Sequence, residues 1–367
     1  MFLKNKIYKL LTVVGARPQF IKAAPLSKAI ATHPFLEEVM VHTGQHYDYN
    51  LSQIFFDELE LLAPKYNLAV GSGRPAVQFA EIILKLDAVL TLEKPDMVIV
   101  FGDTNSTSAA AVAAAKNHIP LAHVEAGLRE WEKTIPEEIN KLLTDAVTDL
   151  YFCPTKTGVE NLKKAGITKN VFLTGDIGMD LLTRNAAKIK NNQQILDKLG
   201  VKPKEFFFFT AHRPANTDEA ERLKQILTIF EHIQQPIIFP IHPRTKAKIL
   251  AFGFQKMLEK THVNVIEPLN FWDTQTLIHH SKIVLTDSGG VVKESYFHKV
   301  PCIIMDNQIE WVEAIDEGWS KLTGARTNDI LKAIDHFQLS QSALKQSHFL
   351  GNGTAAQQIV KAIFSFF

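Results

Sequence analysis

Short apolar runs alternate along this chain with longer stretches of helical period, the arrangement expected of a parallel sheet covered by helices. In the first half the runs are Ile7–Val14, Glu38–His42, Met97–Phe101, Pro120–Val124, Leu150–Cys153 and Val171–Thr174. After a junction containing Gly175 the pattern restarts with Phe206–Thr210, Pro236–Ile241, Val263–Ile266, Lys282–Thr286 and Pro301–Met305. Two such series predict two Rossmann-like α/β domains. The first spans residues 1–174 and is rejoined by a C-terminal helix over 353–367; the second spans 175–352. A chain of 367 residues is also long for a single hydrophobic core.

Polar and glycine-rich segments follow the predicted strands. Gly15-Ala16-Arg17, His42-Thr43-Gly44-Gln45-His46, Gly102-Asp103 and Glu125-Ala126-Gly127 do so in the first half, and His212-Arg213, His242-Pro243-Arg244 and Asp287-Ser288-Gly289-Gly290 in the second. Open parallel sheets bind ligands beyond the carboxyl ends of their strands. If both sheets present those ends to a common cleft, these residues converge there.

Three groups of residues suggest chemistry, and each has a plainer explanation. Gly15 permits a tight strand-to-helix turn and Pro18 suits the first helical position, so Arg17 and Lys22 can both face an anion at the helix start. Alternatively they are a loop arginine and a solvated helix lysine. Ser288, Gly289 and Gly290 let backbone amides approach a pyrophosphate, and Glu294, about one turn on, can accept from a ribose diol. Ser288 can equally be a simple helix N-cap. Asp103, Glu125 and Glu137 form a set of carboxylates suited to acid/base work with separated pKa values. Yet Thr134-Ile135-Pro136-Glu137 also reads as a capping box, and Asp103 could cap the alanine-rich helix near Ser108. Among the histidines, His212 and His242 each sit beside an arginine, Arg213 and Arg244, and read as phosphate or leaving-group contacts. His33 and the His279–His280 pair look like surface positions.

Composition narrows the choice of partner. Forty basic residues against thirty-nine acidic give a formal net charge of +1, with no basic excess for nucleic acid. No apolar run reaches membrane-spanning length, and the N-terminus lacks a signal peptide's apolar core. Cys153 and Cys302 sit in apolar stretches and read as buried thiols in a reducing, cytoplasmic compartment. Neither His-Glu-x-x-His nor Cys-x-x-Cys occurs, so no metal site is expected.

These residues resemble the non-hydrolysing UDP-N-acetylglucosamine 2-epimerase family. The matching segments are Gly-Ala-Arg-Pro-Gln-Phe-Ile-Lys (15–22), His-Thr-Gly-Gln-His (42–46), Gly-Asp-Thr-Asn-Ser-Thr (102–107), His-Val-Glu-Ala-Gly-Leu-Arg (123–129), Pro-Glu-Glu-Ile-Asn (136–140) and Leu-Thr-Asp-Ser-Gly-Gly (285–290). The resemblance implies a GT-B fold, an α/β pair of Rossmann-like domains whose parallel sheets face an interdomain cleft. It implies a UDP-sugar substrate held there without cofactor or metal, and a homodimer. The implied reaction expels UDP as C2 loses its proton, then returns both with the opposite C2 configuration, interconverting UDP-GlcNAc and UDP-ManNAc. Asp103, Glu125 and Glu137 match the family's acid/base positions, with His212 assisting the departing UDP. Arg17, Lys22, His242, Arg244, Phe271, Ser288, Gly289, Gly290 and Glu294 are the implied substrate contacts, and Gln45 and His46 match an allosteric pair.

Some positions depart from the common family pattern. Pro214-Ala215-Asn216 follows His212-Arg213, Lys141 replaces an arginine, Thr274 stands where an aromatic residue is frequent, and Met305-Asp306 lacks an arginine before the aspartate. The 15–20 and 42–46 segments resemble a branch that includes epimerases of 2,3-diacetamido-glucuronate nucleotides. A hydrolysing 2-epimerase, a GT-B glycosyltransferase and a non-catalytic sugar-nucleotide sensor remain as alternatives.

Overall fold

The computed structural model describes residues 6–44, 58–340 and 344–367. Two compact units emerge from the contacts: Met1–Arg184 together with Phe349–Phe367, and Asn185–His348. Gly175 thus lies within the first unit. The sequence candidates Gln45 and His46 lie outside the described residues.

The first unit is built on a seven-stranded sheet in the order β3-β2-β1-β4-β5-β6-β7. These strands are β1 Tyr8–Val14, β2 Leu36–His42, β3 Tyr66–Asn67, β4 Met97–Phe101, β5 Leu121–Val124, β6 Leu150–Cys153 and β7 Val171–Leu173. Every pairing is parallel. Strand β4 is buried along its whole length, which is why it reads as an unbroken apolar run, and β5 is equally buried though it carries His123. Helices cover the sheet. The C-terminal helix Ala355–Phe366 belongs to this unit, and Asp180 accepts from its first two backbone N–H groups, Ala355 at 3.1 Å and Ala356 at 2.8 Å. Beyond it Phe367 stacks on Tyr8 with ring centroids 4.1 Å apart.

The second unit carries a six-stranded parallel sheet in the order β10-β9-β8-β11-β12-β13. Its strands are β8 Phe207–Thr210, β9 Ile237–Pro240, β10 Val263–Ile266, β11 Ile283–Thr286, β12 Cys302–Ile304 and β13 Ser320–Leu322. Phe207, Phe209, Phe230 and Phe239 lie together in its core. The pair His279–His280 is not on the surface, as its sequence suggested, but half-buried, with the His279 ring 5.2 Å from that of buried His298. Two parallel-sheet α/β units in one chain are the construction of the GT-B class.

Strands β3 and β13 escape a reading of apolar runs because both are short edge strands with polar residues. Prolines 120, 236 and 301 precede β5, β9 and β12 and do not join them, as expected of a residue without a ladder N–H. The helix-cap expectations also change. The helix Pro136–Val147 takes Ile135 as N-cap, with no side-chain capping bond, so Thr134 and Glu137 form no capping box. Thr134 instead donates to Glu132. Thr104, not Asp103, caps the helix Asn105–Lys116. Cys153 and Cys302 are buried and unpaired as thiols, and burial pushes each up to about 12. Among the described residues no helix is long and apolar enough to cross a membrane.

Candidate active site

In each sheet the chain reverses its direction of winding at one point. That point lies between β1 and β4 in the first unit and between β8 and β11 in the second. The crevice at such a switch point is where open α/β sheets take ligands. The segments after these four strands are Gly15-Ala16-Arg17, Gly102-Asp103, His212-Arg213 and Asp287-Ser288-Gly289, all singled out by sequence.

The first unit gathers carboxylates and lysines there. Lys22, on the helix Arg17–Ala31, forms an ion pair with Glu125, and each side chain is 10% exposed. Glu125 sits just after β5 in the left-handed region at φ +73°, which a non-glycine residue occupies only under surrounding constraint. That constraint includes two backbone bonds, from Glu125 and Ala126 N–H to the Phe152 carbonyl of β6, both 3.0 Å. Gly102 lies against the ion pair: a Cβ there would stand 3.0 Å from Lys22 Nζ and 3.1 Å from Glu125 Oε2, on a backbone with φ +61°. Only glycine fits that turn without displacing the pair.

Asp103 follows directly, with a side chain 29% exposed and one oxygen 3.5 Å from Lys141 Nζ. Its carbonyl accepts from Asn140 Nδ2 at 2.9 Å. Arg17 is partly exposed at the first position of its helix, and Glu137 is exposed at the second position of the helix Pro136–Val147. Its neighbour Glu138 is buried and accepts from Glu130 N–H at 2.8 Å.

Behind the turn lies a buried polar network. His123 is fully buried between Asp145 Oδ1, 2.7 Å from Nδ1, and the Gly102 carbonyl, 2.8 Å from Nε2. Arg129 donates to the other Asp145 oxygen at 2.6 Å. Burial pushes the Asp145 carboxyl up, but His123 and Arg129 outweigh it and hold it below the usual aspartate range. Gln19, also buried, accepts from Gly15 and Ala16 N–H and donates to the Phe101 carbonyl and Thr107. Gln19, Asp145, Glu138 and Asn140 were not singled out by sequence. Each bonds to residues distant in the chain, and their one local signal is polarity at an otherwise buried helix position.

The second unit gathers histidines and arginines at its switch point. Buried Asp287 accepts from His212 N–H, Arg213 N–H and Asn216 Nδ2 at 2.9–3.1 Å, fastening the end of β8 to that of β11. Asp287 is thereby used in structure, while the His212 side chain stays 40% exposed with its ring centroid 5.9 Å from that of His242. Arg213 pairs with Asp306 at 2.8 Å.

His242 caps the helix Pro243–Ala251, its Nδ1 accepting from Arg244 N–H at 3.2 Å. Burial, then the positive charge of His212 and Arg244, lowers its pKa, which suits a ring acting as acceptor. Arg244 is exposed and paired with Asp218. Ser288 is the N-cap residue of the helix Gly289–Phe297, without a side-chain capping bond. A Cβ at Gly290 would meet nothing nearer than Ser288 Oγ at 3.8 Å, so the helix start is open. Glu294 follows Gly290 by four residues on the same helix face, partly exposed. Phe271 is 2% exposed, and the more open ring beside it is Trp272. No cluster of metal-ligating side chains occurs among the described residues.

Paired Rossmann-like units with polar switch points define a GT-B-type enzyme of the nucleotide-sugar kind. The family model for UDP-N-acetylglucosamine 2-epimerase matches residues 28–364, and the chain belongs to that family. A UDP-N-acetylglucosamine 2-epimerase homolog of Methanococcus maripaludis is 44% identical over 358 residues, covering 97% of this chain and 99% of the relative. The UDP-2,3-diacetamido-2,3-dideoxy-D-glucuronate 2-epimerase of Pseudomonas aeruginosa is 39% identical, covering 96% of this chain and 98% of its own. The crystal structure of Methanocaldococcus jannaschii UDP-GlcNAc 2-epimerase, in complex with UDP-GlcNAc and UDP, superposes with a TM-score of 0.91. It is 36% identical and covers 98% of this chain and all of that one.

Proposed function

We propose that this enzyme interconverts UDP-GlcNAc and UDP-ManNAc without net hydrolysis, by eliminating UDP and adding it back. In the forward half the C1–O bond to UDP breaks while the C2 proton passes to a carboxylate, leaving a 2-acetamidoglucal. In the return half a proton reaches the opposite face of C2 as the UDP oxygen re-forms its bond to C1. The observation carrying this reading is the pair Asp103 and Glu125, on the ends of adjacent strands, each beside its own lysine. An elimination of this kind needs acid/base groups for both faces and charge stabilisation for the leaving group.

In this reading Asp103, Glu125 and Glu137 handle protons and His212 assists UDP departure. Arg17 and Lys22 of the first unit, and His242, Arg244, Phe271, Ser288, Gly289, Gly290 and Glu294 of the second, hold the substrate. The buried free thiols suit a cytoplasmic enzyme, and we assign it to polysaccharide precursor synthesis as a homodimer.

The Pseudomonas relative favours a second substrate, a UDP-2,3-diacetamido-glucuronate. Incubation in D2O with each UDP-sugar, followed by NMR, tests both. Deuterium at C2 of substrate and epimer is expected for the physiological sugar. Free sugar with stoichiometric UDP would instead identify a hydrolysing enzyme, and no incorporation with either sugar would overturn the proposal.

A further inference from the structure

We propose that Lys141 is a positioning residue for the reaction, holding the Asp103 carboxylate in its working place. The proposal rests on the epimerase reading above. Lys141 lies on the helix Pro136–Val147 with its side chain 4% exposed. A buried ammonium is costly unless it is paired, and this one faces two carboxylates of unequal access. Glu130 Oε2, 3.3 Å from Lys141 Nζ, belongs to a side chain that is also 4% exposed. Asp103 Oδ2, 3.5 Å away, belongs to one that is 29% exposed. Glu130 balances the lysine from within, and the open carboxylate receives its field.

The same helix grips Asp103 twice. Asn140 Nδ2 donates to its main-chain carbonyl at 2.9 Å while Lys141 holds its side chain. Asn140 is fixed in turn by Ser108, whose hydroxyl donates to Asn140 Oδ1 at 2.6 Å. Glu137 stands four residues before Lys141 on the same face, so one rigid element sets the spacing of two of the three carboxylates. Lys141, with Glu130 beside it, is the charged group that this helix brings to Asp103. Lys22 is engaged with Glu125 instead. Asp103 and Glu125 therefore each have their own cation.

The full-length protein with Lys141→Met and Lys141→Arg tests this. Lys141→Met is expected to lower kcat for C2 exchange on the order of tenfold to a hundredfold, with KM changed by less than about threefold. Lys141→Arg, which keeps the charge, recovers most of the loss. A Lys141→Met enzyme with wild-type kcat per folded molecule and only a lower melting temperature would overturn the proposal, because the lysine would then be structural. A second readout needs no turnover: the 13C carboxyl signal of Asp103, identified by its loss in Asp103→Asn. It should move in Lys141→Met and return in Lys141→Arg; a signal unmoved in Lys141→Met sinks the idea. If the wild type exchanges neither sugar, the epimerase reading fails and the Asp103 signal alone decides the role of Lys141.

Discussion

The two units share a topology and differ in what they place at its switch point. The first places carboxylates there, with lysines buried against them and a glycine turn that fits around one ion pair. The second places histidines and arginines, half-open to solvent, and spends its buried aspartate on fastening two strand ends. A proton-transfer site gains from fixed groups whose partners exclude water. An anion-binding site needs open backbone amides and accessible cations. In the proposed reading the same fold meets both needs by exchanging the residues after its strands.

That contrast can be broken at the ion pair first. Glu125→Gln should reduce C2 exchange by about a thousandfold and leave Lys22 with a lost buried counter-charge, a defect of about 3–5 kcal/mol when uncompensated. Adding Lys22→Met should restore much of the stability, measured by denaturant unfolding, and none of the activity. Recovery of exchange in the double variant would show that Glu125 serves only to neutralise Lys22.

Two alanine substitutions then set the units side by side. Gly102→Ala drives a methyl group into the Lys22–Glu125 pair on a left-handed backbone and should cost about 2 kcal/mol, along with most activity. Gly290→Ala meets only an ordinary contact, Ser288 Oγ at 3.8 Å. It should leave stability within about 0.5 kcal/mol while weakening UDP binding in calorimetry. Equal stability losses in the two variants would contradict the difference in packing.

Acid should separate the units more gently. Burial, with His280, Lys204 and Lys190 adding positive charge, lowers His279 of the second unit from its ordinary 6.5 to about 4. Buried His298 is lowered as well. Between those values the unfolded chain takes up a proton that the folded unit refuses, so stability falls as pH drops from 6.5 to about 4. Asp145 of the first unit is held below its ordinary range, so its contribution persists above that range and is lost only as pH falls through the lower folded value. Hydrogen exchange followed by mass spectrometry should show the second unit loosening at the higher pH. The opposite order would mean that other groups dominate.

Much of this was legible in the sequence for a physical reason. A strand buried on both faces is mostly apolar, so β4, β5, β8 and β11 announce themselves even with His123 inside β5, and parallel winding then fixes which loops lie at the switch points. Edge strands β3 and β13 lack that compulsion. The candidate residues were legible as types at strand ends, but their partners were not. Lys22 reads as an anion ligand, and only the fold brings Glu125 to it; Thr134 and Glu137 read as a capping box until Ile135 takes the N-cap position. Asp145 and Asn140 act through hydrogen bonds to residues remote in sequence, which no local pattern encodes.

The bond from Asp180 to the start of the C-terminal helix has a consequence for the order of synthesis. The N–H groups it accepts from, on Ala355 and Ala356, are made only after the whole segment Asn185–His348 has been assembled. On a ribosome the second unit therefore has its complete sequence available while the first still lacks one of its helices, and domains tend to fold as units as they emerge. The portion translated first is the one completed last, and its proposed acid/base residues wait for the helix Ala355–Phe366.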